Sequence, residues 1–226
     1  MPTETSLEKK YKKGIIDQTA TYIKSRLEGE GSGHDWWHVY RVWKNAVQIA
    51  QQENADLFLV ELSALLHDIA DWKFHDGNDE VGPMMARAWL ENLSVDEAVI
   101  AHVCQIIKEV SFKGAGVITK MQTKEGKVVQ DADRLDAIGA VGIARTFAYG
   151  GSKGREMYNP EIKPIMHLSF DEYKNSKSPT LNHFYEKLLL LKDLMNTSTA
   201  RKMAEHRHQI MVDFLSEFFR EWEGKV

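Results

Sequence analysis

The sequence predicts an all-α fold, and three observations carry that prediction. Apolar residues recur at helical spacing along most of the chain, no convincing pair of strands is present, and the interruptions fall on segments rich in glycine and proline. At 226 residues the chain is long enough for a sizeable core and reads as a single domain, 1–226. Hydrophobic residues at 43% and charged residues at 27% are the balance of an ordinary globular protein.

In chain order, a first helix is expected over 4–28, with Leu7, Tyr11, Ile15, Ile23 and Leu27 on one face. It stops at Gly29-Glu30-Gly31-Ser32-Gly33, a loop signal. A second helix over about 35–53 carries the stripe Val39, Val42, Trp43, Ala46, Ile49 and Ala50. In a third, over about 56–70, Leu57, Val60, Ala64 and Leu65 keep the period, and Asp76-Gly77-Asn78 then reads as a turn. A short helix is expected at 82–93. Ser94 and Glu97 have the spacing of a capping box, opening a helix that runs to about 110.

Residues 111–127 contain glycines and little periodicity and read as loop, followed by one long helix over about 128–148 that stops at Gly150-Gly151. Between 152 and 179 the chain is irregular and holds Pro160, Pro164 and Pro179; a functional lid and a disordered segment are the two readings of so long a connection. Two closing helices follow, about 181–195 and 199–223. The second has Met203, Ile210, Met211, Phe214, Phe218 and Trp222 at core-facing spacing.

Charge narrows the partners. With 29 basic and 33 acidic residues the net charge is −4, so no global positive excess supports stable nucleic-acid binding, whereas a phosphorylated small molecule needs only a local basic cleft. Cys104 is the single cysteine, which excludes an intrachain disulfide and fits a reducing compartment. The charged start, Met1 to Lys13, has no apolar run of signal-peptide length, and Leu188–Leu191 between Lys187 and Lys192 is far too short to span a bilayer. A cytoplasmic protein without membrane attachment is the expectation.

Four segments carry candidate chemistry: His34-Asp35-Trp36-Trp37-His38, His67-Asp68-Ile69-Ala70-Asp71, Asp131-Ala132-Asp133-Arg134-Leu135-Asp136 and His183-Phe184-Tyr185-Glu186-Lys187. The His67-Asp68 doublet ends an apolar helix, where a buried carboxylate is costly unless paired or bound to metal. The three aspartates of 131–136 interrupt another apolar helix and likewise call for a cation. A lone His-Asp pair is commonplace, and Asp133 has Arg134 and Lys127 as ordinary partners. It is the recurrence of histidine and aspartate on three separate predicted helices that favours a metal. Two imidazoles with two carboxylates suit manganese, iron, nickel, cobalt or zinc better than calcium or magnesium.

With these residues in view, the chain resembles the HD superfamily of metal-dependent phosphohydrolases, whose pattern is H…HD…D, and within it the bacterial YedJ/YpgQ-like branch. The stretches that carry the resemblance are HDWWHVYRVW, ALLHDIADWKF, SFKG, VVQDADRLDAIGAVGIAR, HFYEKLLLL and MAEHRHQIMVDFLSEFFREW, in order over about 33–222. The resemblance implies a helical bundle with one divalent transition metal, manganese first among the candidates, between helices. It makes His38, His67, Asp68 and Asp133 the ligands; Asp133 is preferred to Asp131 because the family's last ligand directly precedes a basic residue and a leucine. Members of this branch act on nucleotides, some releasing pyrophosphate from nucleoside triphosphates, while a phosphomonoesterase acting on a small phosphate ester is the alternative.

Asp71 stands four residues after His67, on the same face if the helix persists, where some HD enzymes use a glutamate for proton handling. His183 and Lys187 share the same spacing, and with Lys73, Lys113 and His34 they are the candidates for contacting substrate. Two competing readings are weaker. His34-Asp35-x-x-His38 superficially matches a zinc-peptidase helix but lacks a third ligand at suitable spacing. A non-catalytic nucleotide-binding module, with the metal site kept for docking or stability, is the other; the full ligand set with Asp71 and clustered basic residues favours catalysis.

Overall fold

Helices supply every regular element that a computed structural model of the chain describes, over residues 5–28, 35–70, 80–110, 121–165 and 178–225. In order these are α1 (Ser6–Arg26), α2 (Trp36–Glu53), α3 (Leu57–Leu66), α4 (Val81–Asn92), α5 (Glu97–Val110), α6 (Lys124–Asp136), α7 (Gly139–Ser152), α8 (Asn182–Glu186), a 3₁₀ segment (Leu188–Leu194) and α9 (Ser198–Trp222). The all-α expectation holds. The chain divides into two compact units, 1–111 with 120–130 and 112–119 with 131–226, and α6 runs unbroken from the first into the second.

In the first unit α3 is the central element, packed against α1, α2 and α5. Its Leu62, Leu65 and Leu66 are completely buried beside Ile23, Val39, Leu90, Ile100 and Val103. Burial of each such side chain contributes roughly 1.5–3 kcal/mol, enough to fix the rotation of so short a helix. Trp43 on α2 donates its indole N–H to Glu61 on α3 at 3.0 Å, tying together the two helices that carry His38 and His67. Burial pushes the Glu61 carboxyl up from the usual range, against the lowering effect of the Trp43 bond and of Lys44.

Several boundaries differ from the sequence expectation. Asp96, not a Ser94–Glu97 capping box, caps α5: its Oδ1 accepts the Ala98 N–H at 2.8 Å, Ser94 takes a φ of 54°, and Glu97 pairs instead with Arg87 at 2.9 Å. Leu7 and Tyr11 on α1 and Leu57 on α3 are exposed; Ile15, Ile16 and Ile23 form the buried face of α1. The first turn of α6 reaches back to Lys124, four residues before the expected start.

The largest departure is the expected helix over 128–148, which is two helices. Ala137 and Ile138 donate back only three residues, to Arg134 and Leu135 at 3.2 and 3.3 Å, tightening the end of α6. Ile138 is extended (φ −123°, ψ 165°), and Gly139 opens α7 with φ +78°. A Cβ at Gly139 would stand 3.0 Å from Arg207 Cβ and Cγ of α9, so both the backbone angle and the neighbour demand glycine. Gly139→Ala is expected to destabilise by about 1–3 kcal/mol, read as a lowered denaturation midpoint; an unchanged midpoint would show that the break tolerates a side chain.

In the second unit α9 packs against α7 and the 3₁₀ segment. Phe147, Phe184, Phe214 and Phe218 form a chain of ring contacts with centroids 5.8 to 6.0 Å apart. Trp222, expected to face the core, is 51% exposed. The expected 181–195 helix is split: α8 ends at Glu186, Lys187 takes φ −146°, and the 3₁₀ segment follows. Of 152–179, residues 166–177 lie outside the described residues.

Candidate metal centre

Asp35 caps α2 by accepting the His38 N–H at 2.8 Å, which sets His38 in the helix's first turn. Its neighbour Val39 is fully buried in the core of the first unit, and His38 itself is 2% exposed. α3 ends at Leu66, one residue before the doublet, with His67 as its C-cap and the Ile69 N–H bonded to the Leu66 carbonyl at 3.1 Å. The His67-Asp68 doublet therefore sits in the exit turn of α3 and not inside the helix. Arg26 at the end of α1 secures that turn from outside, donating its Nε–H to the Ile69 carbonyl at 3.3 Å.

The two histidines and Asp68 converge. His38 Nε2 lies 3.3 Å from His67 Nε2, and Asp68 Oδ2 lies 3.2 Å from the former and 3.4 Å from the latter. His67 Nδ1 stands 2.8 Å from the Ala64 carbonyl oxygen. A carbonyl only accepts, so Nδ1 carries the proton and the Nε2 lone pair is turned inward, the tautomer a metal needs. Two nitrogens bound to one ion at about 2.0–2.1 Å stand about 3–3.4 Å apart at ordinary coordination angles, and the observed spacing falls there. Among the described residues, His38, His67 and Asp133 form a group able to hold a metal ion, with one ligand atom of each lying within 4.8 Å of the others. The donor set fits a divalent metal, mixing buried imidazoles with carboxylates.

The other aspartates of 131–136 are engaged differently. Asp136 is buried and pairs with Arg145 at 2.6 Å, so a guanidinium is the cation it calls for. Asp131 is fully buried, with Arg134 as a coulombic partner and its carboxylate oxygens met by hydrogen-bond donors. Asp131 Oδ1 accepts from the Asn196 N–H and Nδ2, and Oδ2 accepts from the Thr197 N–H and Oγ1, all at 2.8 Å. Burial raises the Asp131 pKa, and these four donors offset part of that shift. Both oxygens are thus committed within the protein, and of the three aspartates it is Asp133 that is grouped with the two histidines.

For the substrate candidates the outcome is mixed. His183 and Lys187 are both half-buried, but α8 ends at Glu186, so the shared helix face expected of them is not formed; the Lys187 N–H still bonds the His183 carbonyl at 3.0 Å. The persistence of α3 on which the placement of Asp71 relied is likewise absent over 67–70. Asp71, His34, Lys73 and Lys113 themselves lie outside the described residues. The Ala64 carbonyl was not foreseeable as a partner of His67, because a backbone acceptor leaves no side-chain signature.

Sequence and fold both resemble those of known proteins. The HD domain model matches residues 36–138, which contain all four proposed ligands. YpgQ of Bacillus subtilis (strain 168) is 41% identical over 209 residues, covering 92% of this chain and 94% of YpgQ. The chain belongs to the HD superfamily of hydrolases. A crystal structure of an HD-superfamily hydrolase from Bacillus thuringiensis superposes with a TM-score of 0.74 at 47% identity, covering 94% of this chain and 98% of that one. The crystal structure of B. subtilis YpgQ in complex with ADP gives 0.72 at 39% identity, over 91% of this HD chain and 97% of YpgQ. No helix among the described residues is long and apolar enough to cross a membrane.

Proposed function

We propose that this HD protein is a metal-dependent phosphohydrolase acting on a nucleotide, with His38, His67, Asp68 and Asp133 holding one divalent metal, manganese first among the candidates. The observation that carries the proposal is the convergence of two inward-facing Nε2 atoms on the Asp68 carboxylate, at 3.2 to 3.4 Å. The ADP bound to B. subtilis YpgQ supports a nucleotide as the ligand class.

When bound, a divalent metal supplies Lewis acidity, offsetting charge on phosphate oxygens and easing the loss of a proton from water. The residues around it divide the remaining work. His67, held by the Ala64 carbonyl, and His38, held in the first turn of α2, keep their imidazoles oriented. Asp68 and Asp133 balance the cation's charge. Asp71 moves a proton to or from the reacting groups, while His34, Lys73, Lys113, His183 and Lys187 bind phosphate oxygens and orient the substrate.

A product-resolved screen of the manganese-loaded protein against nucleotides and other phosphate esters tests this reading. Metal-dependent hydrolysis of a nucleoside triphosphate with release of pyrophosphate is the expected result. Orthophosphate release would assign a phosphomonoesterase, and nucleotide binding without turnover across the panel would contradict the enzymatic reading.

Lys187→Ala probes the basic set. A hydrogen bond to a charged group contributes about 1.5–3 kcal/mol, so loss of one phosphate contact should lower kcat/KM roughly tenfold or more. Steady-state kinetics with a triphosphate will show this, and an unchanged kcat/KM would remove Lys187 from the site.

A further inference from the structure

Asp131 has a role that the metal centre does not explain. Its carboxylate is enclosed by four donors from Asn196 and Thr197, and Thr197 is also the N-cap of α9, accepting the Ala200 N–H at 3.2 Å. One turn further along α6, the Arg134 guanidinium donates to the Leu194 carbonyl. Arg201 closes the same turn from the α9 side, donating to the Met195 and Asn196 carbonyls at 3.0 and 3.2 Å. Residues 131 and 134 are neighbours on one helix face, whereas 133 is rotated about 200° from 131. Bonds that hold the first face against the 194–197 turn therefore fix the direction in which Asp133 points.

We infer that Asp131 is a positioning residue for the metal centre: by bonding the 194–197 turn it sets the rotation of α6 that presents Asp133 as a ligand. The inference rests on the proposed metal centre. It also gives two aspartates two residues apart separate duties, Asp131 bonded to the 194–197 turn and Asp133 grouped with the two histidines. Asparagine at 131 would turn an amide N–H₂ toward donors that now meet a carboxylate oxygen, loosening the lock with little change in volume.

The test is manganese affinity, measured by isothermal titration well below the unfolding temperature, for the full-length protein and for Asp131→Asn, Asp133→Ala and the double variant. Removing a residue that orients a ligand typically costs about 10–100-fold in metal affinity, and that loss is expected for Asp131→Asn. In the Asp133→Ala background the same change should have no further effect, since Asp131 then has no ligand to position. Wild-type affinity in Asp131→Asn, or a loss that adds fully to that of Asp133→Ala, would overturn the inference, the second result marking a purely structural role. Should Asp131→Asn fail to fold, Asn196→Ala removes one of the four donors and is expected to weaken binding several-fold with the same dependence on Asp133; no change there would overturn it equally. If Asp133→Ala alone retains wild-type affinity, it is the metal-centre assignment that fails.

Discussion

His67→Ala and Asp68→Ala are each expected to abolish tight metal binding and turnover while leaving the fold intact. His67 Nε2 and Asp68 Oδ2 each stand within 3.4 Å of His38 Nε2. Loss of either leaves a divalent cation with at most three protein ligands. The fold should survive because the doublet lies in the exit turn of α3, outside the Leu62-Leu65-Leu66 core. Removing the His67 imidazole leaves the Ala64 carbonyl without its imidazole partner, a local change at the end of α3. Metal content after dialysis and the far-ultraviolet circular dichroism spectrum together check this. Full occupancy in both variants would sink the ligand assignment.

Asp71→Asn is expected to lower kcat by about 10²–10⁴-fold, the usual contribution of a general acid or base, with metal and substrate binding nearly unchanged. Asparagine keeps the size of the side chain and removes the charge that accepts a proton. α3 ends at Leu66, so helical periodicity does not carry the expectation for Asp71, which lies outside the described residues. Asp71→Glu is the companion: it restores the residue other HD enzymes use, and retained or raised kcat would show that reach is not limiting. Loss of metal in Asp71→Asn would make Asp71 a ligand or a support for one. Full kcat would assign proton transfer elsewhere, and not to Asp136, whose carboxylate is taken by Arg145.

Which parts of this were legible in the sequence follows from how local their causes are. Period and apolar stripe located α2, α4, α5 and α9 closely, because each buries one face along most of its length. The proposed ligand residues stand out in the sequence because two histidines and two carboxylates recur at helix ends in the order of a known family; the structure brings three of them, His38, His67 and Asp68, within 3.4 Å. Helix breaks inside apolar runs were not legible. The break before Gly139 depends on Arg207, 68 residues later, standing against the glycine's open side. The duty of Asp131 depends on Asn196 and Thr197, 65 and 66 residues away. Even so, the Asn196-Thr197-Ser198 run ahead of an apolar helix is the kind of capping sequence that attracts such a partner.

The central claim, one divalent metal serving nucleotide hydrolysis, is tested most directly by stripping the protein with a chelator and titrating manganese back while following pyrophosphate release from a nucleoside triphosphate. Hydrolysis that is lost on stripping and returns in full at one manganese per chain is the predicted result. Hydrolysis that survives stripping, or that requires two ions per chain, would contradict it.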